Sequence, residues 1–400
     1  MDLAVTTPAK ALETAQRRLL VALGAAVFMV NLDARVVAPL LPTLAQELGT
    51  SLSQAGWLVS AYMLPYGLCQ LLFGPLADRY GKIAVCTVAR AAFSIGTACT
   101  ALWPSFAAIV TLRALTGAAA AALIPLTLAH IGDTVPYARR QSAIATLMAV
   151  AGASQALSTS LGGSIAALFS WRAVFPCLGV LAFASTIAVY VFGRHELRTP
   201  RRSVERHGYR AVLRAPQLPA LLALVATEGF LYMGAFSYLS GLLEERFGLT
   251  AFGIGLLLAA TGASQLLAAR LLPFLIGRWS ERTLLALGGS ALGLAFLASA
   301  AAPHWSLVAL GCALLGVGFI LCHTTLQTRA TEAFPEARGT AVALFAFSLF
   351  LGAGTGTALL GAALDVLGFT TLFASVGAAL LVFTVVVVRV LGRRGDARGA

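Results

Sequence analysis

Residues 74–82 read Gly-Pro-Leu-Ala-Asp-Arg-Tyr-Gly-Lys and lie where two long apolar runs meet, at residues 54–76 and 83–102. This short stretch holds two glycines and the charged residues Asp78, Arg79 and Lys82. Glycine favours turns because it adopts backbone angles that other residues avoid, and charged side chains favour water over hydrocarbon. The pattern predicts a tight polar turn between two membrane-crossing helices.

The rest of the 400-residue chain repeats this alternation of apolar runs and polar joints. Hydrophobic residues make up 59% of it and charged residues 11%, whereas soluble domains carry about 25% charged residues. Runs near the ~20 residues that cross a bilayer must be helical, because lipid offers no hydrogen bonds to the backbone. The sequence therefore predicts an all-α membrane protein with twelve transmembrane helices. They are predicted at residues 19–41, 54–76, 83–102, 106–129, 141–166, 171–192, 219–242, 251–276, 283–301, 305–328, 339–363 and 369–391.

The distribution of basic residues predicts the orientation of the chain. Of its 28 Lys and Arg residues, 22 fall on the side that holds the termini and two on the opposite side. Since basic loops remain cytoplasmic, both termini are predicted to be cytoplasmic. The net charge of +12 follows mostly from this bias, so we expect contact with membrane lipids and no nucleic-acid partner.

One long polar segment divides the chain into two similar parts. Residues 193–218 hold seven arginines, and the sequence after them repeats the first part with an offset near 198. Arg140-Gln-Ser-Ala-Ile-Ala, for example, aligns with Arg338-Gly-Thr-Ala-Val-Ala. We predict an N-terminal six-helix bundle at 1–192, a cytoplasmic linker at 193–218 and a C-terminal six-helix bundle at 219–400.

The polar turn resembles the motif G-x-L-A-D-R-x-G-R-K between helices 2 and 3 of the major facilitator superfamily. The matching residues are Gly74, Leu76, Ala77, Asp78, Arg79 and Gly81, with Lys82 in place of the first Arg and Ile83 in place of the Lys. The resemblance implies a 6 + 6 pseudo-symmetric architecture whose halves rock around a central cavity. Ser170-Trp-Arg172 is also similar to the start of the sixth helix in the drug:proton antiporters of this superfamily.

The resemblance also implies a conformational latch. Asp78 would cap the positive N-terminus of the eleventh helix, and Lys82 would pair with Asp133, so that one face of the transporter stays closed until the halves rock. The predicted latch residues are Gly74, Asp78, Arg79, Gly81, Lys82 and Asp133. The alternative is a turn that only sets topology, with its charges in water.

Two charged residues inside the first half are candidates for proton coupling. Asp33 lies near the middle of the first run, where an ionisable group costs several kcal/mol unless it faces a partner or a cavity. Arg113 and Gly117 resemble the R-x-x-x-G motif of the fourth helix, whose Arg is implicated in proton coupling in drug antiporters. Burial favours a neutral carboxyl group and a neighbouring Arg favours the charged form. The alternative is a purely structural ion pair of Asp33 with Arg35 or Arg113.

The second half contains a further intramembrane carboxylate, Glu228. We expect it at the same depth as Arg270 and paired with it across the cavity, in either a functional or a structural role. Glu228 is also a candidate for protonation or for holding a cationic substrate, and Arg35 and Arg270 are candidate cavity charges. His323 is predicted to be a satisfied polar group rather than a proton relay.

The fifth run departs from the antiporter pattern. Ser158-Thr159 stand where the motif has Gly-Pro, although the Gly162-Gly163 pair that follows is present. The missing proline leaves open whether antiport is retained.

These features favour a transporter. The sequence has no nucleotide-binding loop and no metalloprotease motif, so we expect no enzyme and no cofactor, with a proton gradient as the driving force.

The leading hypothesis is proton-coupled efflux of small lipophilic or amphiphilic compounds by alternating access, by a monomer in a bacterial inner membrane. A uniporter or importer of an anionic metabolite stays open because four intramembrane arginines exceed two carboxylates. A membrane sensor or assembly factor without transport activity also stays open.

Overall fold

The computed structural model describes residues 6–196, 209–215, 217–333 and 338–392, and all regular structure in these residues is helical. Eleven helices are long and apolar enough to cross a membrane. The last of them, Arg338–Gly392, has 55 residues and is broken at Gly368, where φ is 70° and ψ is 168°. Glycine adopts such angles without a Cβ clash. The break divides this segment into two helices, and the predicted all-α membrane fold is confirmed.

We number the twelve membrane helices α1–α12 in chain order. Their bounds are α1 Gln16–Glu47, α2 Leu52–Tyr80, α3 Lys82–Cys99, α4 Phe106–Thr134, α5 Tyr137–Leu168, α6 Trp171–Gly193, α7 Leu218–Phe247, α8 Ala251–Ile276, α9 Glu281–Ala300, α10 Trp305–Ala333, α11 338–367 and α12 369–392. Helical residues precede α1 from Thr6, and a linker helix lies at Tyr209–Leu213.

Several membrane helices change geometry along their length. The departures are a 3-10 turn at Ala38–Leu40 in α1, joints near Gly56 in α2 and Ala121 in α4, and a π-helical turn at Gly229–Met233 in α7. The first coincides with Pro39, which lacks the backbone N–H that a continuous α-helix needs. The π turn of α7 lies next to Glu228 and is important for the site described below.

Buried apolar side chains form two large cores. One contains residues of α1–α4 and α6, from Leu19 to Val189, with Ile165 and Ala166 of α5 packed against it. The other contains Ala38 and residues from Val212 to Val387, on the linker helix and α7–α12. The exact boundaries of the two bundles stay predictions, because residues 197–208 lie outside the described residues.

The two halves meet along α5 with α8 and along α2 with α11. Glycines bring the helix backbones together at the first of these seams. A Cβ on Gly163 would lie 2.3 Å from the carbonyl oxygen of Ala251, and a Cβ on Gly255 would lie 2.5 Å from that of Thr159. Small residues permit such close helix packing in membranes. The halves are therefore in direct backbone contact.

Polar contacts join the halves at the end of the bundle opposite the linker. The Nε2 atom of Gln46 donates to Oε1 of Glu244 at 3.1 Å, and the Ser53 hydroxyl donates to Asp365. These residues lie where α1 and α7 end and where α2 begins and α11 ends. The bundle is closed at this end, which we call the opposite end; the other is the linker end.

Candidate functional site

A narrow pocket lies between the halves near the middle of the bundle. Its lining is mostly apolar and consists of Ala34, Arg35, Ala38, Val59, Met63, Met233, Phe236, Ser237, Ala353 and Thr357. Arg35 is the charged residue of this lining, and its guanidinium carbon lies 5.5 Å from the centre of the Phe236 ring. Its Nη2 atom is buried and has no hydrogen-bond partner among the described residues. The pocket therefore offers apolar surface and one cation with a free donor.

Asp33 and Arg113 form a buried ion pair between α1 and α4. The Nη1 atom of Arg113 lies 2.7 Å from Oδ2 of Asp33, with the two side chains 1% and 0% exposed. Arg113 also donates to the backbone oxygens of Asp33 and Leu58, both at 3.4 Å. Its guanidinium carbon lies 4.3 Å from the centre of the Tyr62 ring. These contacts with α1 and α2 fix the cation of α4 at one position.

The pair lies inside the N-terminal core and not in the central pocket. On α1, Ala34, Arg35 and Ala38 line the pocket, while the fully buried Asp33 faces Arg113. The second carboxylate oxygen of Asp33, Oδ1, is buried without a hydrogen-bond partner among the described residues. A buried polar atom without a partner is unfavourable, so this oxygen is a ready acceptor for a proton or a donor group.

The departure at Ser158-Thr159 has a structural consequence next to this pair. The Ser158 hydroxyl donates to the carbonyl oxygen of Leu32 at 2.5 Å, which binds α5 to α1 one residue before Asp33. A Gly-Pro pair has no side chain that can make this bond. The chain thus replaces a helix-bending residue with a hydrogen bond between helices.

Arg90, a third arginine of the N-terminal half, is also buried. It donates to the carbonyl oxygens of Ala26 and Ala182 at 2.9 and 3.3 Å and to the Ser185 hydroxyl. These acceptors lie on α1 and α6, so Arg90 ties helices together and does not add charge to the pocket.

Glu228 and His323 form the corresponding buried pair of the C-terminal half, between α7 and α10. Oε2 of Glu228 lies 2.8 Å from Nδ1 of His323, and the side chains are 0% and 12% exposed. The imidazole ring stacks on Phe319 at 4.5 Å and lies 5.2 Å from Phe345. Oε1 of Glu228 has no hydrogen-bond partner among the described residues.

Tyr232 connects this pair with the pocket. It follows Glu228 by one turn of α7 and is fully buried. Its hydroxyl accepts from Nε2 of Gln265 at 3.3 Å, and the Arg35 guanidinium lies close enough to interact with it. The chain of contacts therefore runs from Glu228 past Tyr232 to Arg35 of the other half.

The predicted pairing of Glu228 with Arg270 is wrong. Arg270 is an exposed residue of α8, and the partner of Glu228 is His323. Gln265, five positions earlier on α8, is buried and faces Tyr232. Five residues turn an α-helix by about 140° beyond a full turn, so Arg270 leaves the helix on another side.

His323 was missed as a partner because the apolar run of α10 ends before its helix does. The run predicts an end at residue 328, whereas the helix continues to Ala333. Glu228 lies ten residues after Leu218 and His323 ten residues before Ala333. Both helix ends lie at the linker end, so equal distances place the two side chains at equal depth. That match depends on the end of α10 at Ala333, which the structure shows and the apolar run does not.

The polar turn between α2 and α3 contains part of the predicted latch. Gly81 has φ 90°, Lys82 forms an ion pair with Asp133 at the end of α4, and Arg79 packs on the Tyr80 ring at 5.2 Å. Gly74 and Asp78 belong to the last turns of α2. The start of the eleventh helix, which Asp78 is predicted to cap, adjoins residues 334–337 outside the described residues, so that cap stays a prediction.

Known proteins resemble this chain over most of its length. The family model described as Major Facilitator Superfamily matches residues 23–357 and, in a second alignment, 247–399. The uncharacterized MFS-type transporter YceJ of Bacillus subtilis is 30% identical over 84% of this chain and 86% of its own length. A chloramphenicol resistance protein of Pseudomonas aeruginosa is 28% identical over 79% of this chain and 77% of its own.

A solved structure shows the same fold. It is the crystal structure of a bacterial homolog to the human lysosomal transporter Spinster, in an inward-facing and unoccupied conformation. It superimposes with a TM-score of 0.78 at 16% identity and covers 94% of this chain and 96% of that chain.

Proposed function

Since the chain belongs to the major facilitator superfamily, we propose that it exports small amphiphilic compounds in exchange for protons by alternating access. The observation that carries this proposal is the enclosed Asp33–Arg113 pair with its unpartnered carboxylate oxygen. An ionisable group at this depth in a membrane protein favours a role in moving ions or protons. Similarity to a protein named for chloramphenicol resistance supports a role in drug resistance.

The pocket suits a substrate with an apolar body and one polar group. Met63 of the N-terminal half and Met233 and Phe236 of the C-terminal half line the pocket and would contact the apolar part. Met adapts its shape to different ligands. A hydrogen-bond acceptor on the substrate would occupy the free Nη2 of Arg35.

Proton exchange at Asp33 requires a change in its distance from Arg113. While the two side chains are in contact, the Arg113 guanidinium favours the charged form of Asp33. The exchange requires that, as the halves rock, α1 also shifts against α4 within the N-terminal half, so that Asp33 loses Arg113 and gains a proton. Return of Arg113 then expels the proton. These steps do not require a proline in α5, because the Ser158 hydrogen bond already joins α5 to α1.

We place the protein in a bacterial inner membrane as a monomer with cytoplasmic termini. In everted membrane vesicles, its substrate would then be taken up when the vesicle interior is acid. Ethidium, chloramphenicol and benzoate serve as a cationic, a neutral and an anionic probe, and nigericin collapses the pH gradient. Uptake of ethidium or chloramphenicol that stops on nigericin addition supports antiport, whereas uptake that ignores nigericin contradicts it.

A second candidate function is transport of an organic anion, and Arg35 favours it. Arg90 and Arg113 are both occupied by acceptors inside the N-terminal half, so Arg35 is the arginine that faces the pocket. If the substrate is an anion, Arg35→Gln raises the KM for benzoate at least about tenfold, in line with a lost charge-assisted hydrogen bond. An unchanged benzoate KM, or no benzoate transport by the wild type, rejects this candidate.

A further inference from the structure

We infer that Glu228 and His323 form a second proton-binding site, in the C-terminal half, which holds one proton in common. Nothing in the proposed exchange at Asp33 uses these residues. Glu228 of α7 and His323 of α10 contact each other at 2.8 Å. Asp33 lies in the other half, so each half contains its own pair. The ligand of the site is a proton.

The geometry requires a shared proton because the pair is buried. With a neutral imidazole and an ionised carboxylate, the pair would carry one buried negative charge, which is unfavourable in a membrane protein interior. One added proton makes the pair neutral, whether it resides on nitrogen or on oxygen. A second proton would leave an isolated buried cation. The one-proton form is therefore the favoured state.

The surroundings stabilise a proton on the imidazole. The ring stacks on Phe319 and lies tilted against Phe345, and aromatic faces attract a cation. Tyr232 of α7 and Cys322 of α10 face the pair from its own helices, and Phe345 faces it from α11. Beyond Tyr232 lie Gln265 of α8 and Arg35 of α1. Arg35 is the charged member of this set and lies on the far side of Tyr232.

The pair is partly open on one side and is linked to the substrate pocket on the other. His323 keeps 12% of its side chain exposed while Glu228 keeps none, so the imidazole is the more accessible of the two groups. On its other side, Glu228 precedes the π-helical turn Gly229–Met233. Met233 at the end of this turn and Phe236 beyond it line the pocket. Single π turns inside α-helices occur frequently at functional sites. A change of charge at Glu228 thus acts on the part of α7 that contacts the substrate.

Histidine-selective NMR on the purified full chain in nanodiscs tests this site without a substrate. The protein has five histidines, and the His323 signal is assigned by its absence in His323→Gln. We expect the wild-type His323 to become an imidazolium between pH 8 and pH 5 and to stay neutral over this range in Glu228→Gln. The exposed His304, at the opposite end of the bundle, is the internal control and titrates equally in both proteins.

The same titration of His323 in both proteins, or a wild-type His323 that stays neutral, would overturn the inference. If Glu228→Gln does not fold, the wild-type protein with ¹³C-labelled Glu decides alone. A shared proton changes the Glu228 and His323 signals at one common pH, and two separate midpoints reject it. Asp33→Asn should leave the His323 titration unchanged, so failure here is distinct from failure of exchange at Asp33.

Discussion

The two halves of this transporter place a buried carboxylate on equivalent helices and give it different partners. Asp33 of α1 meets Arg113 of α4, and Glu228 of α7 meets His323 of α10. These are the first and fourth helices of each half. In both pairs one carboxylate oxygen is left without a hydrogen-bond partner among the described residues.

The difference between the partners decides what each pair can do. An arginine keeps its proton, so the N-terminal pair exchanges protons only when its members move apart. A histidine gains and loses a proton near neutral pH, so the C-terminal pair can respond to pH while it stays together. On the proposals made above, one half would couple protons to movement and the other would respond to the proton concentration.

The largest expected effect is that of removing the fixed cation. Arg113→Gln leaves Asp33 buried without its counter-charge, which should lower the free energy of unfolding by about 3–5 kcal/mol. His323→Gln should cost about 1–3 kcal/mol, since it removes a hydrogen bond to a group that can become neutral. SDS-induced unfolding in mixed micelles measures both values.

The double variant Asp33→Asn with Arg113→Gln is the control for this prediction. It should recover a large part of the loss, because no unpaired charge is left in the core. A smaller loss for Arg113→Gln than for His323→Gln would show that the two pairs do not differ as their chemistry implies.

The next largest effect is expected for a variant that gives the C-terminal pair an arginine, as in the N-terminal pair. His323→Arg gives Glu228 a permanent cation, so the pair should no longer take up a proton. A pH-stat titration from pH 8 to pH 5 should count about one proton fewer per molecule than in the wild type. His304→Gln calibrates the loss of one exposed histidine. Equal proton counts for His323→Arg and the wild type would contradict the prediction.

A smaller effect is expected at the seam between the halves. A methyl group on Gly163 would meet the Ala251 carbonyl at 2.3 Å, so Gly163→Ala should lower the free energy of unfolding by about 1–3 kcal/mol. Gly24→Ala is the matched control, because its Cβ has no heavy atom within 4 Å. The control should be neutral or gain up to about 1 kcal/mol from helix propensity. Equal stabilities of the two variants would show that α5 and α8 are not in close contact.

The smallest effect is expected at an ion pair that is exposed to solvent. Lys82 and Asp133 are 21% and 32% exposed, unlike Asp33 and Arg113. Lys82→Gln should therefore change the free energy of unfolding by about 1 kcal/mol or less. The change should shrink further at high salt, since salt screens exposed charges. A loss as large as that of Arg113→Gln would disprove the contrast between buried and exposed pairs.

The fold could be predicted because membrane helices are encoded locally. Run length and apolar composition place the helices. The break at Gly368 falls between the last two predicted runs. Within the site, Asp33 and Arg113 could be singled out because charges are rare inside apolar runs. Arg35 was identified on the same grounds, and the structure places it in the pocket.

The partners of the second half could not be predicted because they depend on helix rotation and true helix length. Arg270 is an intramembrane charge by sequence, yet it leaves α8 on an exposed side. The apolar run of α10 ends soon after His323, but the helix continues through polar residues to Ala333. The run alone therefore misplaces His323 along the helix. The π turn after Glu228 also leaves no clear pattern in the sequence.

The central claim, that proton movement depends on Asp33, is tested most directly in proteoliposomes with an imposed pH gradient. Proton release into the medium is followed while ethidium or chloramphenicol is added, for the wild type, Asp33→Asn and the exposed control Glu245→Gln. We predict release triggered by the probe in the wild type and in Glu245→Gln, and none in Asp33→Asn. Probe flux that ignores the gradient and survives Asp33→Asn would contradict the account.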